Sequence, residues 1–169
     1  MGRASTKENK SIYQLTREEL KLTREKASEM TGFMSAEHIE KIENGKICIQ
    51  PDDVMALSEC YKAPKLCNYY CSNECPIGKK YVPEVQVKEL SQIAIETLNS
   101  LNRINREKDR LLEIIEDGQV TDDEISDFVS IKKTLDKISL SVDTLQLWVD
   151  QAIADGNLDK SVFEDRRKS

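Results

Sequence analysis

The side chains best suited to chemistry in this chain of 169 residues are its cysteines. Cys67, Cys71 and Cys75 are spaced four residues apart, and Cys60 lies seven residues before the first of them. Residues four apart share a helix face, as metal ligands or a thiol relay would. The spacing matches neither the Cys-x-x-Cys of ordinary zinc sites nor a ferredoxin pattern. Three roles therefore stay open for the cluster: packing by small apolar thiols, a zinc or iron–sulfur site, or a redox switch. We expect no other cofactor.

The other reactive residue types do not predict an enzyme. His38 is the single histidine and has no cysteine nearby, and no glycine-rich loop could hold a phosphate. We expect His38 to be exposed on a helix without a partner, and Cys48 to be buried between two isoleucines. No enzymatic activity and no small-molecule substrate are expected.

Composition favours helices with narrow apolar seams. A third of the residues are charged and aromatics are scarce, which does not suit a β-sandwich or a large enzyme core. Residues 1–83 carry 13 Lys and Arg against 12 Asp and Glu, whereas residues 84–169 carry 12 against 19. A near-neutral front half followed by an acidic back half indicates a division of labour. No apolar run predicts a membrane span or a signal peptide, so we expect a cytoplasmic protein with reduced cysteines.

The segment from Leu22 to Gly45 has the pattern of a helix-turn-helix. Thr23 is suited to cap a short helix that ends at Gly32, and Ser35 to cap a second helix that Gly45 closes in the left-handed conformation. Apolar residues at helical spacing predict one buried seam: Ala27, Met30, Ile39 and Ile42. Two short helices around such a turn can place one helix in the major groove of DNA.

The predicted fold is all-α, with five short helices and then a long antiparallel helical hairpin. We expect a disordered tail at 1–10, a helix-turn-helix domain at 11–75 with a cysteine-rich fifth helix, and a linker at 76–83. A two-helix hairpin at 84–155 and a polar tail at 156–169 follow. The first helix is expected over 12–21 with Ile12, Leu15, Leu20 and Leu22 available for burial, and the fourth begins at Pro51.

The hairpin is predicted from two long heptad patterns separated by Asp117-Gly118. The seam of the first helix is Val87, Leu90, Ala94, Leu101, Ile104, Leu111 and Ile115; the seam of the second is Phe128, Ile131, Leu135, Ile138, Val142, Leu145, Val149 and Ala152. Thr121 and Glu124 form a capping box before the second helix. Further apolar residues lie off both seams, so we expect two copies to pair as a coiled-coil homodimer. The alternative is that the hairpin folds back onto the front domain.

Residues 12–62 resemble the Cro/repressor-like (XRE-type) helix-turn-helix family. Leu22-Thr-Arg-Glu25 is similar to the family's LTQEELA opening, and Ile39-Glu-Lys-Ile-Glu-Asn-Gly-Lys46 to its ISRIENGK ending. The resemblance implies a five-helix lambda-repressor-like domain that binds double-stranded DNA. It also implies a structural ion pair between Arg17 and Glu43. The DNA-contacting positions that it implies are Thr23, Arg24, Ser35, Ala36, Glu37, Glu40, Lys41 and Lys46.

Two hypotheses for function follow. In the first, the protein is a sequence-specific DNA-binding transcriptional regulator that dimerises through its hairpin. In the second, it is a protein–protein interaction module whose degenerate helix-turn-helix no longer binds DNA. The first is the preferred interpretation. The expected display of Glu37, Glu40 and Glu43 on the reading helix supports the second, because carboxylates near phosphates are mostly repelled.

Overall fold

The computed structural model describes residues 9–116 and 118–168, and within them the fold is all-α, as predicted. The helices are α1 (Ile12–Glu19), α2 (Arg24–Thr31), α3 (Ala36–Glu43), α4 (Pro51–Cys60), α5 (Lys65–Asn73), α6 (Gly78–Tyr81), α7 (Leu90–Ile115), α8 (Ile125–Ala154) and α9 (Lys160–Lys168). The chain divides into two compact units, one within Met1–Glu84 and Asp150–Ser169 and the other Val85–Val149. None of the described helices is long and apolar enough to cross a membrane.

The first unit is built around one core to which α1–α5 all contribute. Its fully buried apolar side chains are Tyr13, Ala27, Met34, Ile39, Ile42, Ile49, Val54, Leu57, Tyr61, Ala63 and Leu66. The prediction for α1 was right for Ile12 and Leu22, which are partly buried against the core, and wrong for the other two leucines. Leu15 and Leu20 are exposed, whereas Gln14, Thr16 and Arg17 are buried with Tyr13. Polar groups of α1 therefore face the core, and an ion pair described below is what makes this possible.

Helix ends in this unit lie where the local chemistry predicts them. The Gln50 side chain and the Asp53 carboxylate form a capping box at the start of α4, with Pro51 at its first position. The Cys60 end of α4 is followed by Lys62 in the left-handed conformation (φ 50°), and Ser58 Oγ donates to the Ala63 carbonyl at 3.1 Å. The left-handed residue and this hydrogen bond fix the turn into α5.

The segment predicted as a linker contains the short helix α6. Gly78 lies so close to α5 that an added Cβ would be 2.0 Å from the Cys71 carbonyl oxygen. Asn68 Nδ2 also donates to the Pro83 carbonyl at 3.1 Å. Residues 78–83 are therefore fastened to α5. The polar tail likewise contains a helix, α9, while the domain boundaries drawn from the sequence stay predictions.

The second unit is an antiparallel helical hairpin. Arg103 donates to Ser130 Oγ at 3.1 Å and Arg110 donates to Asp127 Oδ2 at 2.7 Å. A later residue of α7 therefore contacts an earlier residue of α8, as in an antiparallel pair. The first helix begins at Leu90, later than the expected Glu84. The Glu124 carboxylate accepts from the Thr121 backbone N–H at 3.1 Å, as half of the predicted capping box.

The buried faces of the hairpin differ from the predicted seams. On α7 the fully buried residues are Ile93 and Ile114, whereas Leu90, Leu101 and Ile115 are exposed, as is Val87 before the helix. On α8 the buried residues include Ile131 together with Thr134, Ser141 and Thr144, whereas Leu135, Val142 and Leu145 are exposed. Part of each predicted apolar seam therefore lies in solvent.

Candidate nucleic-acid interface

Helices α2 and α3 form a capped helix-turn-helix around residues 32–35. Thr23 Oγ1 accepts the Lys26 N–H at 3.2 Å and Ser35 Oγ accepts the His38 N–H at 3.1 Å, so both predicted caps are formed. Gly32 (φ 78°) ends α2, and Gly45 (φ 66°) follows α3. Both glycines take the left-handed conformation that favours their residue type.

The packing of this motif corrects the predicted seam at one position. Ala27, Ile39 and Ile42 are buried as expected, but Met30 is 48% exposed. Met34, in the turn, is buried in its place, while the neighbouring Phe33 is exposed. The turn is therefore anchored by Met34, and α3 is held with its opposite face in solvent.

A buried carboxylate joins three elements of the motif. Glu43, 2% exposed, accepts from Arg17 Nε at 2.5 Å and from Arg17 Nη2 at 2.9 Å. Arg24, on α2, donates its Nε–H to the same carboxylate at 2.8 Å, and Arg17 Nη1 donates to the Leu22 carbonyl at 2.6 Å. The hydrogen bonds to Glu43 raise the pKa of Arg17. The expected pair of Arg17 and Glu43 is thus brought together, and Arg24 is an additional member that the sequence did not predict.

The outer face of α3 carries acids that are each matched by a lysine. Lys41 Nζ is 2.8 Å from Glu37 Oε1, and Lys46 Nζ is 3.6 Å from Glu40 Oε1. The hydrogen bond from Lys41 lowers the pKa of Glu37. Because Glu43 points into the core, the expectation that all three glutamates are displayed was wrong. The outer face carries two carboxylates and two ammonium groups, and its charges balance.

The remaining predicted contact residues lie around the start of α3. Ser35 is exposed and Ala36 is half-buried at its first turn, and Thr23 lies at the start of α2. The hydroxyls of Ser35 and Thr23 are engaged as helix caps. The predicted set thus occupies the N-terminal ends of α2 and α3, the outer face of α3 as far as Lys41, and the loop after α3.

His38 has a partner, contrary to expectation. Its Nε2 lies 3.0 Å from Asp53 Oδ2, and the same carboxylate caps α4. Only the Gln50-Pro51 helix start could have drawn attention to Asp53 in the sequence, and nothing there linked it to His38. The contact ties the middle of α3 to the start of α4.

The cysteines of the cluster, Cys60, Cys67, Cys71 and Cys75, are half-buried free thiols. Within the described residues no group of three or more His, Cys, Asp or Glu side chains is placed to hold a metal ion. Burial raises the pKa of Cys60 and of Cys71, which disfavours their thiolates. Cys75 Sγ accepts the Gly78 N–H at 3.4 Å, and Cys48 is exposed rather than buried.

A groove of about 610 Å³ lies beside the end of α3. One wall is the loop after α3, which includes Gly45 and Ile47, and the other is the end of α5 with Tyr70 and Glu74. Lys79 of α6 also lines it. The groove therefore places α6 opposite the loop that follows the candidate reading helix.

Comparison with known proteins identifies the motif. The family model described as Helix-turn-helix matches residues 14–64, which span α1–α4 and the turn before α5. Neither the curated proteins nor the solved structures gave a significant match to the chain. The matched family is one of DNA-binding regulators rather than of enzymes. Residues 14–64 of this chain therefore match the helix-turn-helix family, which is consistent with the expected resemblance to Cro/repressor-like (XRE-type) regulators.

Proposed function

We propose that this protein is a sequence-specific DNA-binding transcriptional regulator, with α3 as its major-groove reading helix. The observation that carries the proposal is the Glu43 carboxylate, which bonds Arg17 of α1 and Arg24 of α2 and so fixes α3 against both helices. A reading helix must be held rigidly for base contacts to discriminate.

The DNA-contacting roles follow from the exposed chemistry. Glu43 takes only the Nε–H of Arg24, and a guanidinium has two further nitrogens that can bind a phosphate or guanine O6 and N7. Lys41 and Lys46 are suited to phosphates, and Ser35 and Ala36 to close approach at the start of α3. Glu37 and Glu40 can accept hydrogen bonds from the cytosine N4 amino group.

Dimerisation through the hairpin is supported by its exposed apolar residues. An α-helix turns by about 100° per residue, so Leu90, Leu101 and Leu112 lie about a third of a turn from the buried line of Ile93 and Ile114. A helix that is apolar on two adjacent faces is typical of a four-helix bundle, in which each helix contacts two neighbours. A second copy of the hairpin carries the same exposed apolar face, so it can supply the other two helices of such a bundle.

Selection of bound sequences from a random duplex DNA library tests the DNA-binding half. Full-length protein is used under reducing, anaerobic conditions. Enrichment of a two-fold symmetric site, with half-sites about one helical turn apart, is expected. Failure to enrich any sequence even at low salt would contradict the proposal.

Substitution on the exposed face of α7 tests the homodimer. Leu101→Asp places a charge on the exposed apolar face, whereas Asn99→Asp adds the same charge on the opposite side of the helix. Sedimentation should show that only Leu101→Asp yields monomers. Equal behaviour of the two variants, or a monomeric wild type, would rule out this interface.

A protein-docking module remains the alternative, and one observation favours it. The balanced charges of α3 lack the excess of positive charge that DNA interfaces usually carry, and Met30 and Phe33 are exposed beside the turn. In that case the library selection fails, while Phe33→Asp, but not Arg24→Ala, abolishes binding to the partner protein.

A further inference from the structure

Helix α6 lies outside the matched family domain but is a fixed part of the same unit. Gly78 packs directly on the Cys71 carbonyl, and the Lys79 N–H donates to the Cys75 carbonyl at 2.9 Å. Because α6 is fastened to α5, its side chains have a defined position relative to the helix-turn-helix.

Two lysines of α6 differ from those of α3 in their surroundings. Lys41 and Lys46 each lie within 4 Å of a glutamate carboxylate, whereas no such ion pair is formed by Lys79 or Lys80 in the part of the chain that the structure describes. Glu74 lines the groove with Lys79, and burial raises the pKa of Glu74 while the Lys79 charge partly offsets that rise. Both are exposed, and Lys80 Nζ lies 5.3 Å from the centre of the Tyr81 ring. An exposed ammonium group that is not held in a close ion pair can bind an external anion.

The position of the groove beside α3 indicates which anion these lysines can bind. Lys79 lines it together with Gly45 and Ile47, which flank Lys46 in the loop after α3. If α3 enters a major groove, that loop faces the adjoining phosphates, and α6 lies across the groove from it.

We propose that Lys79 and Lys80 form a second contact to the DNA phosphate backbone, continuous with Lys46. The contact is independent of sequence and extends the footprint beyond the family domain. It rests on the proposed DNA-binding function and supplies positive charge that the balanced face of α3 lacks.

Salt-dependent binding to a labelled duplex of mixed sequence tests this contact. The variant Lys79→Ala/Lys80→Ala is compared with Lys132→Ala/Lys133→Ala, which removes the same charge from α8. Loss of two phosphate contacts reduces the magnitude of the slope of log K against log salt by about 1.8. When salt rises fourfold, the factor by which binding weakens should therefore be about twelve times smaller for the variant than for the wild type. Lys79→Arg/Lys80→Arg should keep the wild-type slope, and amine-reactive labelling should show both lysines protected in the complex.

Each outcome separates the two proposals. If the wild type binds and only Lys79→Ala/Lys80→Ala reduces the slope of log K against log salt, the contact is supported. If all variants keep the wild-type slope, or the α8 variant loses as much, the α6 contact is wrong and DNA binding stands. If the wild type binds no duplex at any salt concentration, both proposals fail. Near-UV circular dichroism of the tyrosines checks that each variant is folded.

Discussion

Replacing Glu43 with glutamine should be the most damaging single isosteric change in the helix-turn-helix. The carboxylate accepts three hydrogen bonds from Arg17 and Arg24, and the Arg17 side chain is only 8% exposed. Glutamine keeps the volume but has one acceptor oxygen, and its amino group would face the guanidinium N–H donors. The loss therefore reflects charge and hydrogen bonding rather than a cavity.

The expected magnitude follows from burial. Removing one partner of a buried ion pair costs about 3–5 kcal/mol, because it leaves an uncompensated buried charge. A domain of ordinary stability has only about 5–15 kcal/mol in total. Glu37→Gln is the matched control, since this glutamate lies on the same helix, is 75% exposed and pairs with Lys41. An exposed pair of this kind contributes little to stability, because solvent screens it.

The aromatic residues allow each unit to be followed separately. All five tyrosines lie between Tyr13 and Tyr81, whereas the single tryptophan, Trp148, is in α8. In urea titrations, Glu43→Gln should shift the near-UV tyrosine transition and leave the Trp148 fluorescence transition in place. Equal tyrosine midpoints for Glu43→Gln and Glu37→Gln would show that the Glu43 network does not hold the motif together.

Three further variants test individual contacts by the tyrosine transition. Gly78→Ala should destabilise by about 1–3 kcal/mol because its Cβ would overlap the Cys71 carbonyl, whereas Ala at the exposed Ile77 should not. Gly45→Ala should cost about 1–2 kcal/mol from its left-handed backbone alone, since nothing lies within 4 Å of the added Cβ, and Gly45→Asn should cost less. Burial raises the pKa of Glu74, so the folded state binds the proton more tightly than the unfolded chain. Glu74→Gln should therefore raise the urea midpoint at neutral pH, and the gain should shrink as pH falls through that pKa; a constant gain would contradict this assignment.

Helix ends were predictable from the sequence because their signals are local. Thr23, Ser35 and Pro51 act within one turn of their own positions. Gly32 and Gly45 take the left-handed backbone conformation, which glycine adopts without help from distant residues.

Buried faces were less predictable because apolar periodicity does not detect polar residues that are satisfied by distant partners. On α1 the periodicity selected Leu15 and Leu20, although Arg17 is buried through Glu43, 26 residues away. On α8 it selected Leu135 over Thr134, whose hydroxyl lies 3.0 Å from Glu107 of α7. The partners of Arg24 and His38 were missed for the same reason, since each lies on another helix.

The paired charges on α3 have a consequence for specificity if this helix reads DNA. Solvent screens the exposed Glu37–Lys41 pair, so exchanging Glu37 for a phosphate at Lys41 is a small obstacle. The released carboxylate nevertheless stays close to the phosphates, well within the Debye length of about 10 Å at moderate salt. Its repulsion is offset only where a cytosine amino group can donate to it. We infer that Glu37 and Glu40 weaken binding to duplex of arbitrary sequence more than binding to the correct site. Helix α3 therefore discriminates mainly by disfavouring incorrect sequences.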